Sequence, residues 1–513
     1  MYVSKLLGMK HVKNGDSGDV EEVTRKMIKE SLRRMWSANG KLTLREIERR
    51  IAKAEKFIQT VEQEKSELVE RNTKANYVPV SVSKKEVENS IFVTLDYATW
   101  LRAAIRGGSY HPEPIGLVFS MPAFDAAPVL FNVQGIGPWL HGNTVFLRPS
   151  RQTHAVSEFY REKMLDLGFE GFYFAEELKG EDFVLLVNTI TNLNRLMSKT
   201  TRRKEMGTVV TFSGTEEAWR NIHPYVRHAT VVVFNGPGNA TAYVSPNADV
   251  DQAARRIALS SFENAGQYCF SLKVILVHED VYFRFRDAYI GYASELKVGD
   301  PFEEETIIGP VRNGSVIRLW YRWVRQAEER ILFRGQIRRQ KHPLLGKVTY
   351  TSPVIFELDQ PPTGEMFGSI SALIRVSGRK QAVENIKNSP FGLYLAVFGD
   401  ADDFRVMHAL ADQGYVGTVT HNYTINDVPE GRETLVRGWG GFRKSGKILD
   451  RRFAKEIVAW GGRYLPHDIA LARPPLVEEL PSGYWKKSEG AVRSPFPSSH
   501  RSISVLEPAP SGA

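Results

Sequence analysis

The chain of 513 residues is short of several things. It has one cysteine, Cys269, which excludes an internal disulfide framework and any multi-cysteine zinc site. It has no run of about 18 apolar residues, so no transmembrane helix is expected. The first residues, Met1 to Lys13, are apolar only briefly and lack a small-residue cleavage site, which points to a cytoplasmic rather than a secreted protein. Internal repeats are absent. No G-x-S-x-G elbow and no H-E-x-x-H pair occurs, which removes two familiar hydrolase designs. No basic stripe interleaved with aromatics stands out, so nucleic acid is not an expected partner. A small excess of basic residues, 68 against 59 acidic, gives a formal net charge of +9. That balance suits a solvated basic surface or an acidic small ligand.

What is present is globular. Hydrophobic residues make up 42% of the chain and charged residues 25%, with 27 Phe, 19 Tyr and 9 Trp. Near the start, Leu44, Ile47, Ile51, Ala54 and Ile58 recur at steps of three and four, the spacing of an amphipathic helix. Thr43 and Glu46 stand as a capping box before it. From about residue 114, short apolar runs alternate with helical stretches. The strand candidates are 115–121, 144–147, 208–212, 229–234, 243–244, 274–277, 354–356, 372–374, 394–398 and 417–419. The run 183–186 fits a strand or a helix start. Helices are expected over 250–262 and 280–295. Strands separated by helices predict an α/β architecture with a mostly parallel sheet.

Two phosphate-binding patterns fail. Gly441 to Ile448 nearly fits the phosphate loop, but Ile448 replaces the required hydroxyl and no apolar strand leads in. Gly236-Pro237-Gly238 follows a strand but lacks a third glycine.

Cys269 lies in Phe262-Glu263-Asn264-Ala265-Gly266-Gln267-Tyr268-Cys269. A helix should end near Asn264, and a strand should begin near Lys273. The thiol then sits on a turn, from which it could project into a cleft, although an isolated cysteine is more often an inert core residue. The wider pattern outweighs that. F-x-x-x-G-Q-x-C is followed by Leu296 to Pro301 and Ile308-Gly309-Pro310. It is preceded by Pro114-Ile115-Gly116, Gly142 to Ser150, Thr211 to Glu216 and Ser245 to Asp251. Gly364 to Gly368, Gly417-Thr418-Val419 with Asn422, and Gly440 to Gly446 come after it. In this order the segments resemble the aldehyde dehydrogenase superfamily over roughly residues 40 to 460. The chain reads as a divergent member.

The resemblance implies two α/β domains, nucleotide-binding and catalytic, with a small oligomerisation extension. It divides the chain into an N-terminal helical segment, 1–75; a nucleotide-binding domain, 76–232, completed by about 423–464; a catalytic domain, 233–422; and a Pro/Ser-rich tail, 465–513, expected to be disordered. It implies NAD(P)-dependent oxidation of an aldehyde through a Cys269 thiohemiacetal and thioester. The alternatives are transfer to a thiol acceptor, reduction of an acyl thioester, or a silent homologue used in binding or assembly. A homodimer or homotetramer is implied, with Ile457 to Trp460 near the extension. No metal is implied.

Two departures from the family pattern stand out. Its oxyanion-binding Asn falls on Asp125 by one count and on Phe124 by another. Its general-base Glu falls on Phe234, which cannot take a proton. Another base, Glu263 or Glu365, would then be needed for hydrolysis. For the cofactor, Ser213, Gly214 and Thr215 form a turn whose N–H groups suit a pyrophosphate. Glu365 matches the carboxylate on the nicotinamide ribose, and Phe367 the residue beside it. Arg148, Ser150 and Arg151 fall at the adenosine ribose. Two guanidiniums favour a 2′-phosphate, and therefore NADP slightly over NAD. Trp219 replaces a frequent glycine and could crowd the dinucleotide.

Overall fold

The computed structural model describes residues 43–106, 114, 116–176, 178–201, 207–226, 231–413 and 415–427. The segments around Gly431 to Arg437, Gly440 to Gly446 and Ile457 to Trp460, and the Pro/Ser-rich tail, lie outside the described residues, as do residues 1–42.

Helix α1 (Leu44–Gln63) forms where the apolar spacing places it. Thr43 accepts from the Glu46 N–H at 3.2 Å, and Ile47, Ile51, Ala54, Phe57, Ile58 and Val61 are buried. Leu44, at the entrance, stays exposed. Helices α2 (Lys65–Asn76) and α3 (Val80–Arg106) follow. Tyr77, in the left-handed conformation, ends α2.

The first sheet is five-stranded, parallel, in the order β3-β2-β1-β4-β5: β1 Gly116–Met121, β2 Thr144–Leu147, β3 Phe172–Phe174, β4 Gly207–Ser213 and β5 Val231–Asn235. Strand residues alternate between its two faces. Val118, Val145, Leu147, Val209 and Val233 join a core with α1, α2, α3 and α4 (His154–Asp166). Leu117, Phe119, Phe146, Val210, Phe212 and Phe234 join another with α5 (Gly180–Thr201) and α6 (Glu216–Val226). The ambiguous run 183–186 is therefore helix: Phe183 and Leu186 are buried while Leu185 is exposed.

The second sheet has seven strands in the order β14-β13-β6-β7-β12-β11-β8. They are β6 Ala240–Val244, β7 Leu272–His278, β8 Ile331–Phe333, β11 Val354–Glu357, β12 Ile370–Val376, β13 Tyr394–Phe398 and β14 Thr418–His421. All its pairings are parallel except that of β8 with β11. Helices α7 (Val250–Phe262), α8 (Tyr282–Glu295) and α9 (Gly314–Gln326) pack on this sheet, with α10 (Arg379–Asn388) and α11 (Ala401–Asp412). A two-stranded antiparallel ribbon pairs β9 Ile337–His342 with β10 Gly346–Thr351.

Candidate active site

Four loops converge on Cys269. One follows β1, one joins β5 to β6, one precedes β7 and one precedes β12. The carboxyl ends of the first sheet thus meet the amino ends of the second, as expected of ligand crevices in open α/β sheets.

The loop that carries Cys269 is built by its own sequence. Phe262 closes α7 in the core. Asn264, Ala265 and Gly266 then take positive φ of 54°, 55° and 63° in succession. At Gly266 a β-carbon would collide with the Gly368 carbonyl and the Lys273 amine, so glycine is required there. Gln267 is buried and accepts from the Arg312 N–H at 3.1 Å. Lys273 is also buried, donating to the carbonyls of Gly368 at 2.6 Å and Ser261 at 3.0 Å. Burial lowers its ammonium to about 7, against the opposing pull of Glu365. A lone lysine inside the apolar run Leu272–His278 is the sequence signal for this residue.

Cys269 is partly exposed. Burial pushes its thiol well above the ordinary value, and the charges of Asp125 and Glu365 push the same way. Of the two counts for the oxyanion position, Asp125 is the one whose charge acts on the cysteine. Ala126 next to Asp125, at φ 52°, packs against the buried cluster of Val78, Val82 and Tyr268, as does Phe270. Burial raises the Asp125 carboxyl to about 6.

Glu365 is fixed in place. It accepts from the Gly238 N–H at 3.0 Å, and its carbonyl accepts from Trp323 Nε1 at 3.0 Å. Asn239 stitches the same two loops, donating to the Gly364 carbonyl and accepting from the Met366 N–H. Gly238 lies so close to the Cys269 carbonyl that a β-carbon there would run into it. Burial is the main reason that Glu365 is raised to about 7. Phe367 packs against the core of the second sheet. Glu263, the other base considered, points elsewhere: Lys85 holds one oxygen at 2.8 Å and Asn426 the other at 2.5 Å.

Phe234 is buried. It stacks on Trp219 at 5.0 Å and 9°, and on Phe212 at 6.0 Å and 25°. Trp219 therefore lies in the core of the first sheet.

A buried network backs the cysteine loop. Tyr268 donates to Glu86 on α3, and Asn72 on α2 donates to the other Glu86 oxygen at 2.7 Å. Burial raises Glu86 to about 7. Glu86 sits among polar residues of its helix, and nothing in the sequence marks it.

The remaining groups lie at the carboxyl ends of β2 and β4. Ser213 accepts from Gln134 at 3.0 Å and from Asn235 at 3.3 Å. The Gly214 N–H is taken by the Asn235 carbonyl at 3.1 Å. Thr215 caps α6, accepting from the Ala218 N–H at 3.2 Å. Ser150 caps the turn Arg151–Thr153. Arg148 donates to the Leu178 carbonyl at 3.2 Å, and burial followed by the Arg151 guanidinium lowers its pKa. Two mutually repelling guanidiniums at the end of β2 fit the phosphate of a dinucleotide. The first turn of α6, which carries Glu216 and Glu217, fits one less well.

This architecture is that of a two-domain α/β oxidoreductase. The model of the aldehyde dehydrogenase family matches residues 9–457. A D-glyceraldehyde dehydrogenase (NADP(+)) of Thermoplasma acidophilum is 23% identical over 405 residues, covering 75% of this chain and 77% of that protein. A lactaldehyde dehydrogenase of Methanococcus maripaludis is 25% identical over 386 residues, covering 72% and 77%. Among solved structures, the NADP-dependent glyceraldehyde-3-phosphate dehydrogenase from Bacillus halodurans superposes with a TM-score of 0.62 at 20% identity, covering 80% of this chain and 84% of that one. Proline utilization A superposes at 0.66 and 18% identity, covering 82% of this chain; the chain spans 42% of that protein. The chain belongs to the aldehyde dehydrogenase family. It is an NAD(P)-dependent oxidoreductase of the kind that oxidises an aldehyde. No helix among the described residues is long and apolar enough to cross a membrane.

Proposed function

We propose that Cys269 carries the reaction, attacking an aldehyde carbon to give a thiohemiacetal and then a thioester. The observation that supports this is the placement of the cysteine at the convergence of four loops, beside two carboxyls whose protonation lies near neutrality. The strands from 116 to 235 hold the dinucleotide and those from 240 to 421 carry the cysteine. Arg148 and Arg151 bind the adenosine-side phosphate, with Ser150, Ser213, Gly214 and Thr215 along the turn edges, and Glu365 and Phe367 flank the nicotinamide end. A bound nicotinamide supplies the hydride acceptor. The protein serves in the cytoplasm as a dimer or tetramer, which size-exclusion chromatography with light scattering would check.

Phe234 favours a second reading of the last step. A stacked, buried phenyl ring takes no proton from water, so acyl release to a thiol acceptor competes with hydrolysis assisted by Glu365. Single-turnover formation of reduced nicotinamide, with NAD and NADP separately over a panel of aldehydes, tests both. A burst in wild type that Cys269→Ala abolishes upholds the thioester. A burst that becomes sustained only with an added thiol upholds the second reading. Equal turnover by Cys269→Ala sinks both.

A further inference from the structure

We infer that Tyr268 and Glu86 are positioning residues for the Cys269 thiol, acting from the corner where α2 meets α3. The inference rests on the reading of Cys269 as the nucleophile. Both residues that precede the cysteine are tied to this one corner. Tyr268 is buried and donates its hydroxyl to Glu86 on α3. Gln267 is buried too, and its Oε1 accepts from the Arg312 backbone N–H at 3.1 Å. Arg312 in turn donates from Nε to the Ala75 carbonyl of α2 at 2.6 Å, and its guanidinium lies over the Tyr77 ring at 4.7 Å. With two soft dihedrals per residue, a chain held at two consecutive positions has little freedom left at the third.

The corner is polar where packing alone does not ask for it. Glu86 has both carboxyl oxygens engaged, one by Tyr268 and the other by Asn72 Nδ2 at 2.7 Å. Asn72 also donates to Ser83 Oγ at 2.8 Å and accepts from Asn76 at 2.8 Å, and Ser83 donates to the Val69 carbonyl at 3.1 Å. All five side chains are buried. Apolar residues of similar volume would fill this corner without a carboxyl to desolvate, so stability by itself gives no reason for the network. Hydrogen bonds add direction. They hold the Tyr268 hydroxyl at one distance and angle, where an apolar contact lets a ring slide.

The hold reaches both sides of the thiol. The Tyr268 ring clusters with Val78 and Val82 of the same corner, and it stacks on Phe270, the residue after the cysteine, at 4.8 Å and 8°. From the loop between β5 and β6, Gly238 comes so near that a β-carbon there would collide with the Cys269 carbonyl oxygen. The cysteine backbone thus has fixed neighbours before it, after it and at its carbonyl. A nucleophile must meet its target carbon from about 3–3.5 Å along a narrow line, and a misplacement of about 1 Å costs on the order of a hundredfold in rate. Tyr268 and Glu86 act on the reaction through the backbone of this turn.

Tyr268→Phe removes the hydroxyl and keeps the ring. In the full-length protein, the single-turnover burst is followed at saturating cofactor over a range of aldehyde concentrations. The burst rate constant at saturating aldehyde is expected to fall at least about tenfold, with the amplitude and the half-saturating aldehyde concentration as in wild type. Glu86→Met should slow the burst similarly, and the double variant should be no slower than the slower single one, because both changes break the same bond. A lower urea midpoint or a smaller amplitude with a wild-type rate constant would show a merely structural bond and overturn the inference. Independent, multiplying losses would overturn it too. A second readout needs neither aldehyde nor cofactor. Cys269 is the one cysteine of the chain, so iodoacetamide reports on it alone. Below the urea transition, Tyr268→Phe is expected to be alkylated at least about threefold faster, since an untied turn opens a partly covered thiol. A wild type without a burst, beside a variant that alkylates faster, defeats the aldehyde reading and upholds the tether. A wild-type burst that Tyr268→Phe leaves unchanged defeats the tether alone.

Discussion

At the scale of single residues, Phe234 is set by its aromatic neighbours. A carboxylate at the end of β5 would need polar surroundings. A phenyl ring there instead turns into the sheet face and stacks with Trp219 and Phe212. Trp219 is thereby part of a three-ring core, and truncating it leaves a cavity beside two aromatic faces. Trp219→Ala is expected to cost about 3–5 kcal/mol of stability, read from the shift in urea midpoint at constant slope. A loss below about 1 kcal/mol would mean that the rings do not stack in solution. Lys273 acts in the same restricted setting. With its ammonium lowered to about 7 in the fold and ordinary when unfolded, the unfolded chain binds more protons between about pH 7 and 10.5, so this group contributes stability that rises with pH across that window. Lys273→Met is expected to flatten that rise in pH-dependent melting.

At the scale of elements, the tie between α3 and the cysteine loop carries the next expectation. Glu86 is raised to about 7 by burial, opposed by its hydrogen bonds from Tyr268 and Asn72. Its folded value exceeds its unfolded one, so the native state binds the extra proton. Its contribution is full below about pH 4.5 and is lost as pH rises through 7. Glu86→Gln should remove that decline, so that the difference between the thermal midpoints of wild type and variant shifts from about pH 4.5 to 7 and levels off above it. The elements also show what could be read in advance. Most strands were legible because β-branched apolar runs bounded by turn residues have few other uses. The run 183–186 was not, since four apolar residues have the same hydrophobicity on a strand and on a buried helix face; its exposed Leu185 shows which it is.

For the whole molecule, the two sheets meet through loops that a ligand would bridge, so a ligand held by both should stabilise the native state. At about one hundred times its dissociation constant NADP is expected to add about 2.7 kcal/mol, seen as a higher melting temperature. Replacing Arg148 and Arg151 together with Ala should reduce the shift with NADP to that with NAD. An unchanged preference would place the phosphate elsewhere.

The order of motifs around Cys269 was fixed by local chemistry. Gly266 answers a backbone collision, Gln267 holds a neighbouring loop and Phe262 fills a core, and each constraint acts within a few residues of the thiol. Such constraints leave a pattern that a single sequence displays, which is why the family and the position of the cysteine were readable. The partners of that cysteine were not. Asp125 and Glu365 act on it from sequence separations of 144 and 96 residues, and Tyr268 reaches Glu86 across a separation of 182. Counting along the chain left Asp125 and Phe124 equivalent. Only the fold sets the charge of Asp125 against the thiol. The carboxyls acquired their near-neutral protonation only through burial, a property of surroundings assembled from the whole fold.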